Sequence, residues 1–400
     1  MQTENSAGAS GTLLAETAPQ PASPLSSSKR IVELDGLRGI AILLVLVWHF
    51  FAIPLRENHG FLSRAFAAAG ILTWSGVDLF FVLSGFLIGG ILLDSVDSPR
   101  YFKVFYLRRF YRIVPIYAVT LAAFWIGCAW FRKSSSAVWS PLFAKSLPWY
   151  AYAGYLQNLW MAKWNTLGAG WMAATWSLSV EEQFYLGLPV LVRTVTRSRL
   201  LWIVLLLVLS APILRTLLYL LTPAGPNAAY VLMPCRSDSL LLGVTAAILL
   251  RRAEVWEWLA QNQAKLFQVF LFLGAGVVLF MVRGWALLTM PMTTLGYTWM
   301  AMFYLSILLL TILPGSARLK HCLRVKYLTG LGTISYGVYL IHGPIYETSY
   351  ALLKGESPAL RSFSDWIVTV LVIVLTIVIA AISWRFFEKR LVRRGHMHTY

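Results

Sequence analysis

The chain has 400 residues, 58% of them apolar and only 13% charged, with a mean hydropathy of +0.66. Water could not face so apolar a surface, which excludes a soluble globular protein and leaves an all-α polytopic membrane bundle as the expected fold. The net charge of +17 resides mostly in short segments between apolar runs, a pattern of membrane orientation and not of nucleic-acid binding.

In chain order, the first 28 residues are rich in Ser, Ala and Pro, carry no Lys or Arg, and have no apolar run long enough for a signal-peptide core. Residues 1–30 are therefore read as a disordered cytoplasmic tail. Ten apolar runs follow, at 37–56, 71–93, 113–131, 176–195, 200–221, 231–250, 266–283, 286–313, 329–352 and 365–387. At about 1.5 Å rise per residue each can cross a hydrocarbon layer about 30 Å thick. The segment 149–164 is too short to cross, and its Trp and Tyr residues suit the headgroup layer. With the N-terminus inside, the cytoplasmic segments hold 21 Lys and Arg against 9 outside. That asymmetry supports ten crossings with both termini cytoplasmic. Cys128, Cys235 and Cys322 lie far apart with no CxxC pair, so neither a disulfide framework nor a zinc site is indicated.

Ionisable side chains inside a bilayer are costly unless paired or facing a cavity. Arg38 and His49 share the first run, LRGIAILLVLVWHF, 11 residues apart. Eleven steps of about 100° bring His49 within about 20° of Arg38 and about 16.5 Å deeper. A guanidinium holding an anionic donor below a titratable imidazole fits this spacing; so does an Arg that snorkels and a His that satisfies a neighbouring helix. Asp78, in SGVDLFFVLSGFLIGG, matches His49 in depth and is a candidate to orient it, while Gly85, Gly89 and Gly90 suit close helix contacts. In PRYFKVFYLRRFYRIVP, Arg108 and Arg112 share a face with Arg109 beside them, suited to phosphates or to anionic lipid headgroups.

WSLSVEEQFY presents two adjacent carboxylates about 100° apart, so one alone can face a given cavity; Glu181 shares its face with Ser177 and Tyr185. In MPCRSDSLLLG, Arg236 and Asp238 cannot face each other and each needs a partner elsewhere. His342 adjoins a Gly-Pro break in ISYGVYLIHGPIYE, where a histidine can satisfy freed backbone.

Taken together, LDGLRGIAILLVLVWHF, GVDLFFVLSGFLI, RRFYRIVP, WSLSVEEQFYL, RSDSLLLG, ISYGVYLIHGPI and FFEKRL resemble the acyltransferase family 3 integral-membrane proteins, in the family's order across about residues 31–394. The resemblance implies a transmembrane acyltransferase domain over 31–394 with a short cytoplasmic tail at 395–400. It implies O-acylation without a metal, from acyl-CoA, usually acetyl-CoA, to a hydroxyl of a cell-envelope glycan or of a secreted small molecule such as a macrolide. A bacterial cytoplasmic membrane is the expected location. Arg38 would position the donor, Arg109, Arg112 and Arg108 would bind its phosphates, and His49 would be general base or transient acyl carrier. Glu181 or Asp78 would hold the imidazole. Arg236, Asp238, Ser335, Tyr339 and His342 would contact the acceptor or support the site. Because the chain stops about 13 residues after its last run, it is expected to acylate its final acceptor or to pass the group to a separate extracytoplasmic protein. The competing reading is a transporter or flippase, which would also line a path with Arg, His and Asp.

Overall fold

A computed structural model describes residues 31–57, 66, 68–131, 133, 136, 138–143, 146–315 and 317–400. The expected tail at 1–30, with Lys29 and Arg30, and the loop bases Arg64, Arg132 and Lys145 lie outside the described residues. All ten apolar runs fall on helices, and no strand occurs among the described residues. Helix α1 (Val32–Val47) runs into a π turn at Trp48–Ala52, followed by α2 (Gly76–Asp94), α3 (Tyr101–Phe131), α4 (Trp176–Thr194) and α5 (Arg197–Leu221). Then come α6 (Met233–Leu249), α7 (Gln263–Val282), α8 (Tyr297–Ile312), α9 (Lys326–Lys354), α10 (Phe363–Ser383) and a short basic α11 (Lys389–His396).

Among the described residues, eight helical stretches are long and apolar enough to cross a membrane. Helices α4 and α9, with 19 and 29 residues, fall outside that set. Glu181, Glu182 and Arg193 in one, and the Thr, Ser, Tyr and His residues of the other, lower their apolarity. Their length still suffices for about 28 and 43 Å. The basic segment forms the first three turns of α3, so its arginines have the fixed helical directions that their spacing implies. The aromatic segment forms two short helices, Trp149–Ala153 and Gln157–Lys163, too short to cross as expected. Asn158 and Gln183 bond reciprocally at 3.1 and 2.8 Å, which ties this segment to α4.

Apolar side chains are spread over the outside as well as the inside. On α5, Trp202, Leu206, Leu209, Ile213, Leu217 and Leu220 are exposed in a stripe at steps of three and four residues, as a lipid-facing helix requires. At the centre, every residue of α6 from Cys235 to Ile248 is buried. It approaches α2 backbone to backbone: a Cβ on Gly85 would lie 1.8 Å from the Leu240 carbonyl oxygen, and one on Gly243 2.2 Å from that of Val82. Small residues permit this contact, as the glycines of α2 suggested. Ile31 and His396, at the two ends of the helical stretch, line one cavity at one end of the bundle.

Candidate active site

The cavity at that end has a volume of about 730 Å³ and is walled by α1, α2, α3, α4 and α9. Four arginines line it: Arg38 from α1, Arg109 and Arg112, one turn apart, from α3, and Arg251 just after α6. Arg38 is held by Asp35 at 3.5 Å. Arg109 and Arg112 form no ion pair among the described residues; Arg109 lies over the Tyr185 ring at 5.9 Å. Opposite them stands Glu181, close enough to Arg109 and Arg38 to feel both charges. The face inferred for α4 is the one the cavity meets: Ser177, Glu181 and Tyr185 all line it, whereas Glu182 turns away and keeps a buried oxygen without a hydrogen bond. Ser84 bonds the Tyr185 hydroxyl, and Ser177 bonds the Tyr339 hydroxyl at 2.5 Å. Ser335 and Tyr339 line the wall from α9. At the mouth, Arg251 clamps Asp94 with two bonds of 2.7 Å, a pairing that sequence spacing could not reveal because the residues are 157 positions apart.

Arg108 departs from expectation. One residue before Arg109, it points out of this cavity and donates to the His398 carbonyl at 2.7 and 3.1 Å, beneath the Tyr400 ring at 4.9 Å. The i, i+4 pairing of Arg108 with Arg112 is therefore not the face that the cavity uses; the i, i+3 pair Arg109 and Arg112 is. The C-terminal residues that return to cover Arg108 carried no local signal for doing so.

His49 also differs. It does not line the cavity, so the expected shared chamber with Arg38 is interrupted. The alignment of His49 with Arg38 requires regular α geometry through residue 49, but from Trp48 the backbone is π-helical, with the Ile53 amide bonding the Trp48 carbonyl at 3.0 Å. Such turns underwind a helix and re-aim its side chains. The His49 ring packs edge-on to His342 at 4.6 Å between centroids, and His342 lies 5.6 Å from Tyr339. Cavity, Tyr339, His342 and His49 thus form a continuous run of ring contacts. His49 Nδ1 donates to the Val45 carbonyl at 2.9 Å, which in the neutral ring leaves Nε2 as the basic nitrogen.

Asp78 is not the group beside His49. It pairs with Arg236 at 2.5 Å and accepts from Ser239 at 3.0 Å, all three fully buried. Tyr297 covers the Arg236 guanidinium at 4.1 Å. Asp238 pairs with Arg215 at 2.9 Å, and Thr298 bonds both. Arg236 and Asp238 thus each find a partner on another helix, and this cluster stands apart from the cavity wall. Glu181 remains with the arginines, so neither carboxylate orients the imidazole; the Val45 carbonyl does.

Residues 31–385 match the family model described as an acyltransferase domain. The chain is 28% identical to "Peptidoglycan O-acetyltransferase OatA" of Listeria monocytogenes, covering 94% of this chain and 58% of that protein. It is 29% identical to "Putative peptidoglycan O-acetyltransferase YrhL" of Bacillus subtilis, covering 91% and 55%. Against "Putative membrane-bound transacylase BcsY" of Komagataeibacter xylinus the identity is 30%, over 80% and 74%. No solved structure matches. The chain therefore spans little more than half the length of the two peptidoglycan O-acetyltransferase relatives. A family match over residues 31–385, from α1 through α10, carries the conclusion that this chain belongs to the acyltransferase-domain family of integral-membrane proteins.

Proposed function

We propose that this chain is a membrane-embedded O-acyltransferase that takes an acyl group, acetyl in the first instance, from cytoplasmic acyl-CoA and transfers it to a hydroxyl of a cell-envelope glycan. The observation that carries the reading is the cavity itself: two α3 guanidiniums with no ion pair among the described residues, and a third from α1, face about 730 Å³ of space inside a helical bundle. Guanidiniums bind phosphate oxygens bidentately and remain charged at any physiological pH, which suits the phosphates of a CoA donor. The positive-inside count supports a reading in which this mouth faces the cytoplasm, and the bacterial relatives support a bacterial cytoplasmic membrane as its location. The names of the peptidoglycan O-acetyltransferase relatives support an acetyl group and a glycan acceptor.

In this reading Arg109 and Arg112 hold the donor phosphates, Arg38 and Glu181 set the depth of its thioester, and His49 is the general base. The acceptor hydroxyl loses its proton to His49 Nε2 as its oxygen attacks the thioester carbonyl. The C–S bond breaks and the proton passes to the leaving thiolate. Tyr339 lines the cavity and lies 5.6 Å from the His342 ring, so it is the side chain that connects the donor chamber to the two histidines. Acceptors enter from the opposite side, where the segment 138–175 leaves Trp149, Tyr150 and Trp164 exposed.

The test is His49→Ala in membranes supplied with radiolabelled acetyl-CoA. Loss of a general base predicts a fall in transfer of about 10²- to 10⁴-fold. Labelling at the undiminished rate would reject the role. Mass spectrometry of envelope glycans with and without the intact chain then identifies the acceptor by an acetyl-sized loss of mass.

A further inference from the structure

The proposed mechanism leaves one buried polar atom beside the base without a use. His342 is fully buried, and its Nδ1 donates to the Tyr339 carbonyl at 2.6 Å. Its Nε2 has no hydrogen-bond partner. A buried polar nitrogen left without a partner is costly, and here the ring that carries it lies edge-on to His49 at 4.6 Å. The approach is locked from both sides of the contact. One turn further along α9, Tyr346 packs on Phe50, with ring centroids 4.2 Å apart, and its hydroxyl donates to the Phe50 carbonyl at 3.4 Å. The π turn that carries His49 is therefore pinned to the face of α9 that carries His342.

Backbone satisfaction explains Nδ1 of His342 but not Nε2. Both imidazoles commit Nδ1 as donor to a carbonyl, so each neutral ring keeps Nε2 as an acceptor. His342 touches His49 and carries a nitrogen without a hydrogen bond among the described residues, whereas Asp78 is bound to Arg236 and Glu181 stands in the cavity wall.

We infer that His342 is a positioning residue acting through His49: its ring fixes the orientation of the His49 imidazole, and its Nε2 lone pair stabilises the positive charge that His49 acquires on taking the hydroxyl proton. His342 stays neutral and exchanges no proton itself. The place a carboxylate fills at Nδ1 of other histidine bases is taken here by the Val45 carbonyl, and His342 packs edge-on against the ring. The inference rests on His49 being the base.

The experiment compares His342→Asn, His342→Gln and His49→Ala in full-length protein, purified in detergent, with acetyl-CoA as donor and elution as a monodisperse species as the check on folding. Asn places an amide nitrogen near Nδ1 and keeps the bond to the Tyr339 carbonyl, but has nothing at Nε2; Gln reaches the Nε2 position. His342→Asn is expected to lower kcat about 10- to 100-fold with the acetyl-CoA KM within about twofold, and His342→Gln to recover part of the loss. Full kcat in a folded Asn variant would reduce His342 to a backbone tie and overturn the inference while leaving His49→Ala inactive. Activity in His49→Ala would instead overturn the base assignment itself. If the Asn variant fails to fold, the Gln variant decides: kcat well below native but above that of His49→Ala supports the inference, and kcat as low as His49→Ala or a raised acetyl-CoA KM with native kcat overturns it.

Discussion

Two groups of arginines lie within this bundle, and their surroundings are opposite. Around α6, Arg236 and Arg215 are fully buried, ion-paired to Asp78 and Asp238, and covered by aromatic rings. Around the cavity, Arg38, Arg109 and Arg112 face open space, with one ion pair among the three, at 3.5 Å. Intramembrane charge alone therefore does not mark a reaction site. A charge whose partner comes from another helix of the same chain holds the bundle together, and a charge left facing a cavity is available to a ligand.

That contrast can be broken. The largest effect is expected from Asp78→Ala, which leaves the Arg236 guanidinium buried without its counter-ion. Removing one member of a buried pair costs about 3–5 kcal/mol, seen as a lower unfolding midpoint in detergent and poor membrane accumulation. Asp78→Ala combined with Arg236→Met removes the orphaned charge and is expected to regain much of that stability. An unchanged midpoint in the single variant would mean that the pair is not architectural.

Next is the cavity group. Arg109→Gln with Arg112→Gln is expected to raise the acetyl-CoA KM about 10- to 100-fold, since charged hydrogen bonds contribute about 1.5–3 kcal/mol, while the unfolding midpoint stays near native. A normal donor KM together with weaker binding to anionic vesicles would assign these arginines to lipid headgroups instead. The smallest effect is expected from Arg108→Gln, whose guanidinium is already occupied by the His398 carbonyl and the Tyr400 ring. Donor KM should change by less than about threefold, within the range of a lost partly exposed contact. A change as large as that of the double variant would place Arg108 in the phosphate site after all.

Much of this was legible along the chain because membrane helices impose simple rules on it. Ten apolar runs mark ten helices, since every backbone amide in lipid must be bonded within its own segment. The common face of Ser177, Glu181 and Tyr185 follows from a step of about 100° per residue. The same step shows that Arg236 and Asp238 must look elsewhere for partners. What those partners are was not legible: Asp78 is 158 residues from Arg236, and no local pattern distinguishes a carboxylate that meets an arginine from one that meets a histidine of equal depth.

Sequence by itself determined the membrane class, the positions of the helices and the set of side chains with chemistry to offer, because hydropathy and periodicity are properties of neighbouring residues. Tertiary structure decided which of those side chains share a chamber. It turned Arg108 away and Arg109 inward, closed Asp78 onto Arg236, and moved His49 from the cavity wall to the ring of His342. The physical reason is that pairing depends on how helices distant in the chain are packed and rotated against each other. One π turn, such as that at Trp48–Ala52, changes that rotation without leaving a mark in the periodicity.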